Sequence, residues 1–311
     1  MAMYDVYSHP EFRRYRASIC SKASIFMLFM YLFTFIIPIL IIYRTNGLWI
    51  TTWTVEEQPE IKFKHQVITF ADIRDSRYVN PSFLAWSTYP QFNIIHQANL
   101  RIPAIKSRED DANRDGKNDV LYFDMEIPVN NTENIHKFQL LLFFECRLKE
   151  LALVTFEAMA VVSGESYLSG AAYTTIGELW LKQRHPLVHK GTDNTWSTSV
   201  VDSSSLTPSD YDLSYLFKGY SSRNLTASFV SEYSIWTSGR PSGNRFMISV
   251  EMRYPEQNVL YYTGFWQMFK YALVQYIAIL LVFAFLCERL KLFVFSHQLI
   301  NTVMIKPYKN C

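Results

Sequence analysis

The sequence predicts a two-pass α-helical membrane protein with a large extracellular domain of all-β, antiparallel sandwich-like architecture. Two observations predict this fold class. Long apolar stretches lie near both ends of the chain, and the polar segment between them often alternates apolar and polar residues with the period of a β-strand. The predicted segments are a cytosolic N-terminal segment at residues 1–23, a first transmembrane helix at 24–43, an extracellular β-rich domain at 44–264, a second transmembrane helix at 265–286, and a cytosolic tail at 287–311.

The first apolar stretch, residues 25–42, contains no charged residue. As a helix it rises about 27 Å, so one or two flanking residues complete a crossing of a hydrocarbon core of roughly 30 Å. Pro38 should kink this helix, which a membrane helix tolerates where neighbours satisfy the freed carbonyl. A cleaved signal peptide is the competing interpretation, but no small-x-small cleavage site follows at residues 43–46.

The second stretch, residues 265–286, is apolar apart from Lys270 and two glutamines. A helix of this length reaches about 33 Å, enough to cross a bilayer. Trp266 and Tyr271 lie near one end, where aromatic rings favour the headgroup region. A buried helix in a soluble core is the alternative, and the length and flanks favour the membrane.

The flanking charges predict that both chain ends face the cytosol. Basic residues cluster before the first span and after the second, at Arg13, Arg14, Arg16, Lys22, Arg289, Lys291, Lys306 and Lys309. Cytosolic flanks of membrane helices carry this excess of Lys and Arg. The segment between the spans should therefore lie outside the cell or in a lumen.

The four cysteines are consistent with this topology, and only Cys146 falls in the exported segment. That domain therefore has no internal disulfide and must be stabilised by its core. The absence of a CxxC pair excludes a zinc ribbon and a thioredoxin-type motif. Cys20 and Cys287 lie at the predicted cytosolic border, where S-acylation is chemically feasible; ordinary reduced thiols are the favoured alternative.

Strand-like runs dominate the exported segment. They lie at residues 61–71, 119–127, 138–148, 151–162, 173–182 and 245–253. The run at 151–162 is also compatible with a helix. Turn-forming clusters separate the runs and no βαβ rhythm occurs, which favours an antiparallel sandwich. The Ser/Thr-rich segment at residues 193–210 is expected to form a long surface loop.

An acidic stretch resembles the first half of a calcium-binding loop. Oxygen-bearing side chains occupy its first, third, fifth and ninth positions, namely Asp111, Asn113, Asp115 and Asp119. Gly116 is at the sixth position, but Tyr122 stands where the bidentate Glu belongs. A solvated hairpin tip with Asp115-Gly116 as the turn is the favoured interpretation. Any calcium binding should be weak.

Further candidate sites are two glycosylation sequons, at Asn130 and Asn224, both on the predicted outer side. His185 and His189 have helical metal-ligand spacing, but Pro186 between them argues against a helix. The acidic pair Glu56-Glu57 is expected to be surface-exposed. No catalytic motif is found, so no enzyme is predicted. The formal charge of +2 gives no reason to expect nucleic acid.

Several strings resemble the transmembrane protein 231 family. They run in order along nearly the whole chain: Ser8-His9-Pro10, Cys20-Ser21-Lys22-Ala23, Glu56-Glu57-Gln58-Pro59, Phe83-Leu84-Ala85-Trp86, the acidic loop at residues 108–119, and residues 264–295. The resemblance implies a membrane component of the ciliary transition zone. Its partners would be tectonic and other members of the Meckel-syndrome (MKS) assembly, and its role would be a barrier to membrane proteins that supports ciliogenesis and Hedgehog signalling.

A non-enzymatic membrane scaffold is therefore the leading hypothesis, with no cofactor apart from weakly bound calcium. Gln275 supports it, because an amide within hydrocarbon usually bonds across a helix interface. That interface can be with a partner protein or with the first span of the same chain. The rivals are a two-span ion-channel subunit, whose families carry many outer disulfides, and an extracellular receptor for a lipid or sugar.

Overall fold

The computed structural model describes residues 14–45, 49–75 and 82–305. The basic residues Arg13, Lys306 and Lys309 and the thiol of Cys311 lie outside the described residues. The chain forms two compact units. The helical unit comprises Met1–Thr51 and Thr263–Cys311, and the β unit comprises Thr52–Tyr262.

Most of the described elements between the two long helices are β-strands. The helices are α1 (Lys22–Arg44), α2 (Pro90–Ile95), α3 (Leu213–Ser221) and α4 (Phe265–Ser296), with 3-10 turns at Gln97–Asn99 and Pro208–Tyr211. The strands are β1 (Arg14–Arg16), β2 (Thr52–Glu57), β3 (Glu60–Asp75), β4 (Ser82–Ser87), β5 (Ala104–Asp110), β6 (Val120–Ile127), β7 (Glu133–Leu148), β8 (Leu153–Glu165), β9 (Gly170–Gln183), β10 (Thr192–Asp193), β11 (Leu225–Ser238), β12 (Phe246–Arg253), β13 (Gln257–Tyr262) and β14 (Val303–Ile305).

Helix α1 is long and apolar enough to cross a membrane. It begins after Ser21, whose hydroxyl accepts a hydrogen bond from the Ser24 N–H. Its buried residues form one stripe at Ala23, Met30, Thr34, Pro38 and Ile42. The large apolar side chains elsewhere on the helix are exposed, as expected of a helix surrounded by lipid on most sides.

Helix α4 runs antiparallel to α1 within the helical unit. It begins at Phe265 and continues to Ser296, past the end expected for the second span at residue 286. The intervening Glu, Arg, Leu and Lys residues are good helix formers, so the change in polarity does not break the helix. The Phe295 ring lies 6.0 Å from the Phe26 ring, centroid to centroid, and the Lys291 ammonium lies 4.6 Å from the Tyr31 ring.

The prediction of a large all-β domain is confirmed by the β unit. One five-stranded sheet has the order β10-β8-β7-β3-β4 and the other β11-β9-β12-β6-β5, and β13 pairs with β2. The ambiguous run at residues 151–162 forms the strand β8. Most pairs are antiparallel, but β12 pairs parallel with β9 and β10 parallel with β8. Local periodicity could not specify these two pairings, because they join segments distant in sequence.

The main core lies between the two sheets. On β6 the alternating residues Leu121, Phe123, Met125 and Ile127 are buried, as their spacing predicts. Strand β7 is buried on both faces, since α2, α3 and the turn at Pro208–Tyr211 cover its outer side with a second core. That second cover explains why its sequence reads as a continuous apolar run rather than an alternating one.

The Tyr220 hydroxyl on α3 bridges the open sides of two strands from different sheets. It accepts hydrogen bonds from the Met159 N–H of β8 at 2.9 Å and the Ala227 N–H of β11 at 2.6 Å, and donates to the Ala227 carbonyl at 3.2 Å. Burial raises the Tyr220 pKa to about 12, so the phenol stays protonated and can donate. One side chain therefore satisfies backbone groups that an exposed edge would leave to water.

Replacing Tyr220 with Phe should destabilise the protein, because the Met159 and Ala227 backbone groups would then be buried without partners. Each such group costs about 1–3 kcal/mol. We expect a loss of about 2 kcal/mol in the free energy of unfolding, or roughly 5 °C in Tm. Thermal unfolding of the full chain measures this. The control is Tyr215→Phe on the same helix, where the ring is 61% exposed; an equal loss in both variants would contradict the bridging role.

Candidate functional site

The acidic stretch forms the tip of the hairpin between β5 and β6. The two strands pair as far as Asp110 and Val120. Arg114 and Gly116 have positive φ values of 61° and 87°, the left-handed conformation that tight turns require. This geometry fits the favoured interpretation of the stretch as a hairpin tip.

The carboxylates of this tip accept hydrogen bonds from its own backbone. Asp119 Oδ2 accepts from the Ala112 and Asn113 N–H groups at 2.8 and 3.1 Å, and its Oδ1 accepts from the Gln58 side-chain amide at 2.8 Å. Asp111 Oδ2 accepts from the Gly116 N–H at 2.9 Å. Within the described ranges, no three His, Cys, Asp or Glu side chains are grouped as metal ligands. Calcium binding by this tip stays a prediction.

The pKa of Asp119 is lowered. Burial opposes ionisation of this carboxyl, but the hydrogen bonds from Gln58, Asn113 and Ala112 together outweigh that effect. Because the folded-state pKa lies below the unfolded one, the carboxylate contributes its stabilisation above the unfolded pKa and loses it as the pH falls through the folded pKa.

Asp119→Asn should therefore lower the Tm at pH 7, and the difference from wild type should shrink as the pH falls below about 4, the ordinary pKa of an aspartate. In that range wild-type Asp119 becomes protonated and resembles the neutral variant. Melting curves of both proteins between pH 7 and about pH 2.5 measure the effect. A difference that is constant or grows with acidification would contradict it.

The two sequons differ in accessibility. Asn130 is exposed in the turn between β6 and β7, where its amide donates to Glu133 at 3.0 Å. Asn224 is half-buried and bonded at both ends of its amide to the His185 backbone: Oδ1 accepts from the N–H at 2.7 Å and Nδ2 donates to the carbonyl at 3.2 Å. A glycan on Asn224 would crowd this pair of bonds in a half-buried position, whereas the Asn130 side chain is exposed.

We expect a glycan on Asn130 and little or none on Asn224. Asn130→Gln should remove the mobility shift that endoglycosidase produces on a gel, and Asn224→Gln should leave it in place. The two variants control for each other, since each removes one sequon from the same exported segment. A shift that survives Asn130→Gln and disappears in Asn224→Gln would contradict the assignment.

Buried carboxylates organise the loops of the β unit, and sequence reasoning missed them. Glu57, expected at the surface, is 5% exposed. It accepts hydrogen bonds from the Lys149 and Glu150 N–H groups at 2.6 and 3.2 Å and from the Tyr261 hydroxyl at 3.0 Å. The expectation for Glu57 was wrong because the turn after β7 folds over it. A carboxylate in this setting is a structural acceptor.

Glu157 is likewise a structural acceptor, and it holds the Ser/Thr-rich segment. This carboxylate is 3% exposed; it pairs with Lys64 and accepts the Val200 N–H at 3.0 Å. Lys64 reaches it from an irregularity in β3, where the neighbouring His65 has a φ of 55°. Arg223 donates to two carbonyls of the same segment. The segment has little regular structure, as predicted, but it is anchored to the sheet.

An aromatic cavity lies on the outer side of the β3–β4 sheet edge. It has a volume of about 340 Å³ and is lined by Phe70, Phe83, His96, Pro208, Tyr211, Asp212 and Leu213. The His96 ring contacts the Phe92 ring at 4.5 Å, and burial lowers the His96 pKa. A neutral imidazole among aromatic rings suits an apolar ligand or side chain. Among the residues that line the cavity, Asp212 is the only acid and none is a Ser, Thr, Cys or Lys nucleophile.

The membrane-border candidates separate by exposure. Cys20 is exposed, whereas Cys287 is 3% exposed. The structure thus leaves the Cys20 thiol accessible to an acylating enzyme and covers that of Cys287. Gln275 lies on the partly buried stripe of α4, and its amide has no hydrogen-bond partner among the described residues. S-acylation and an intramembrane contact at these positions stay predictions.

Comparison with known proteins identifies the family. The family model described as transmembrane protein 231 matches residues 1–304. The chain is 42% identical to the transmembrane protein 231 of Xenopus tropicalis over 303 residues, which cover 97% of this chain and 96% of the relative. Proteins of the same name from Mus musculus and Homo sapiens are each 39% identical over 305 residues, covering 98% of this chain and 96% of each relative. The family is named for a membrane protein and not for an enzyme, and the chain belongs to this transmembrane protein 231 family.

Proposed function

We propose that this chain is a non-enzymatic membrane scaffold of the ciliary transition zone. In this proposal it assembles with tectonic-type and other MKS-complex proteins into the diffusion barrier that controls the membrane protein composition of the cilium, and ciliogenesis and Hedgehog signalling depend on it. Family membership over nearly the full length supports a membrane protein of the transmembrane protein 231 family. The ciliary role rests on the resemblance.

The proposal requires a two-pass topology with both ends in the cytosol. The observation that carries it is the pairing of β1 with β14, in which Arg14 lies opposite Ile305 and Arg16 opposite Val303. Backbone strands hydrogen-bonded to each other lie on the same side of a membrane. Strand β1 precedes α1 and β14 follows α4. If α1 and α4 each cross the membrane once, the two strands are on the same side and can pair.

A scaffold fits the chemistry of the β unit better than an enzyme does. Among the described residues, its three most buried carboxylates are those of Glu57, Glu133 and Glu157, and each accepts hydrogen bonds from backbone or side-chain donors of its own unit. Acids that accept such bonds from their own unit hold loops in place. What remains on the surface is suited to binding.

An extracellular ligand receptor is the second candidate, favoured by the aromatic cavity at His96. Its volume is at the lower end of the range for small-molecule sites. An apolar ligand that bound there would raise the Tm of the protein, and Phe83→Ala would abolish that rise. The ion-channel alternative has no such observation in its favour.

The scaffold proposal is tested by imaging a tagged full-length chain in ciliated cells while recovering its crosslinked partners. We expect the chain at the base of the cilium, between the basal body and the axoneme, with tectonic-type membrane proteins among its partners. A chain spread evenly over the plasma membrane, with none of these partners, would refute the proposal.

In the same crosslinking experiment, Gln275→Leu tests whether this side chain contacts a partner helix. If the unpaired amide bonds to a partner helix, this variant should lower the recovery of crosslinked partners about threefold, since such a bond is worth about 0.6 kcal/mol on average. Gln267→Leu, about two turns nearer the start of α4, is the matched control. Equal recovery in both variants would remove Gln275 from the interface.

A further inference from the structure

The packing of α4 on α1 places charged groups at the depth of the apolar part of α1. The Lys291 ammonium lies 4.6 Å from the Tyr31 ring. Tyr31 is six residues, or about 9 Å of helix, beyond Ile25, where the apolar run of α1 begins. Since α4 runs antiparallel to α1, Glu288 and Arg289 lie further along α1 than Lys291 does. In the two-pass topology this places them beside the first apolar turns of α1, and not beyond its cytosolic end as the sequence indicates.

These groups have no route to the cytosol along their own helix. Side chains on a helix lean toward its N-terminus. In α4 that direction leads away from the cytosolic end, and the Arg289 guanidinium accordingly lies 5.2 Å from the ring of Phe285, one turn earlier. Among the described residues, Glu288 has no ion pair or hydrogen bond, and its side chain is exposed.

Glu288 and Arg289 flank the face of α4 that lies opposite α1. Cys287, the buried residue of α4, marks the covered side. At 100° per residue, the opposite side carries Ala278, Leu281, Phe285, Glu288 or Arg289, and Leu292, with the alternating spacing of three and four residues that two packed helices use. The apolar members Leu281, Phe285 and Leu292 are 65%, 58% and 62% exposed. We call these residues the outer seam of α4.

We propose that the outer seam binds the outer seam of a second copy of this chain, with Glu288 of each copy paired to Arg289 of the other. This inference rests on the two-pass topology of the proposed function. Two copies inserted in the same orientation present identical residues at identical depth. Glu288 and Arg289 are adjacent, so they differ in depth by about 1.5 Å, and each acid meets the opposite charge on the other copy.

A two-fold axis along the membrane normal produces two such pairs. Glu288 and Arg289 lie on either side of the line through Phe285, and a two-fold axis brings one flank of a helix against the opposite flank of its mate. An isolated acid or base beside hydrocarbon is unfavourable, and the reciprocal pairs give each of the four groups an opposite charge. Charge complementarity therefore selects a second copy as the occupant.

The test uses two differently tagged full-length copies co-expressed and recovered in lipid nanodiscs. Glu288→Arg and Arg289→Glu each place like charges against one another, so each variant should lose co-recovery with itself by at least about tenfold, as a change of about 1.4 kcal/mol requires. Co-expressed with each other, the two variants regain both pairs and should associate as wild type does. A folding defect in either chain would not be cured by the other.

Two further measurements complete the design. Glu165→Arg, a charge reversal on an exposed outer-domain side chain, should leave co-recovery unchanged. The endoglycosidase shift of the same variants reports export of the β unit independently of self-association. If the wild-type protein shows no endoglycosidase shift, the two-pass topology is refuted. With the shift retained, wild-type copies that do not associate, or variants that fail to complement each other, would overturn the paired seam alone.

Discussion

Two short antiparallel ladders, one in each compact unit, determine how this chain is arranged. In the helical unit β1 pairs with β14, and in the β unit β2 pairs with β13 from Thr52 opposite Tyr262 to Glu57 opposite Gln257. Each ladder joins the first and last segments of its unit. In the β unit this places Thr52, where the chain enters, opposite Tyr262, where it leaves. The antiparallel pairing of α1 with α4 follows from the first ladder, and the closure of the β unit follows from the second.

The β unit shows how a domain with a single cysteine replaces covalent ties. Its sheets enclose an apolar core, and several polar side chains buried beside that core hold loops or edges. Tyr220 joins β8 to β11, Glu157 anchors the Ser/Thr-rich segment, and Glu57 holds the turn after β7. Removal of one such side chain leaves several backbone groups without hydrogen-bond partners. Each of these few side chains therefore has a large effect on the stability of the β unit.

The membrane-facing chemistry follows from the same long-range pairing. Helix α4 reads as a span that ends at its charged residues, yet its packing against Tyr31 places Lys291 beside the apolar part of α1. Lys291 has an aromatic face to rest on and Arg289 has Phe285, whereas Glu288 has neither. Of these three charged residues, Glu288 on the outer seam is therefore the one without an aromatic contact in the described part of the chain.

Sequence alone was sufficient for features that depend on local pattern. Hydrophobic length identified α1, period-two alternation identified β3, β6, β9 and β12, and Asp115-Gly116 identified the hairpin tip, because each property is read from neighbouring residues. The continuation of α4 to Ser296, the parallel pairing of β12 with β9, the burial of Glu57 and the different exposures of Cys20 and Cys287 were decided only by tertiary structure. Each of these depends on which distant segment packs against the residue. No local period encodes that choice, because it is made by the free energy of the whole folded core.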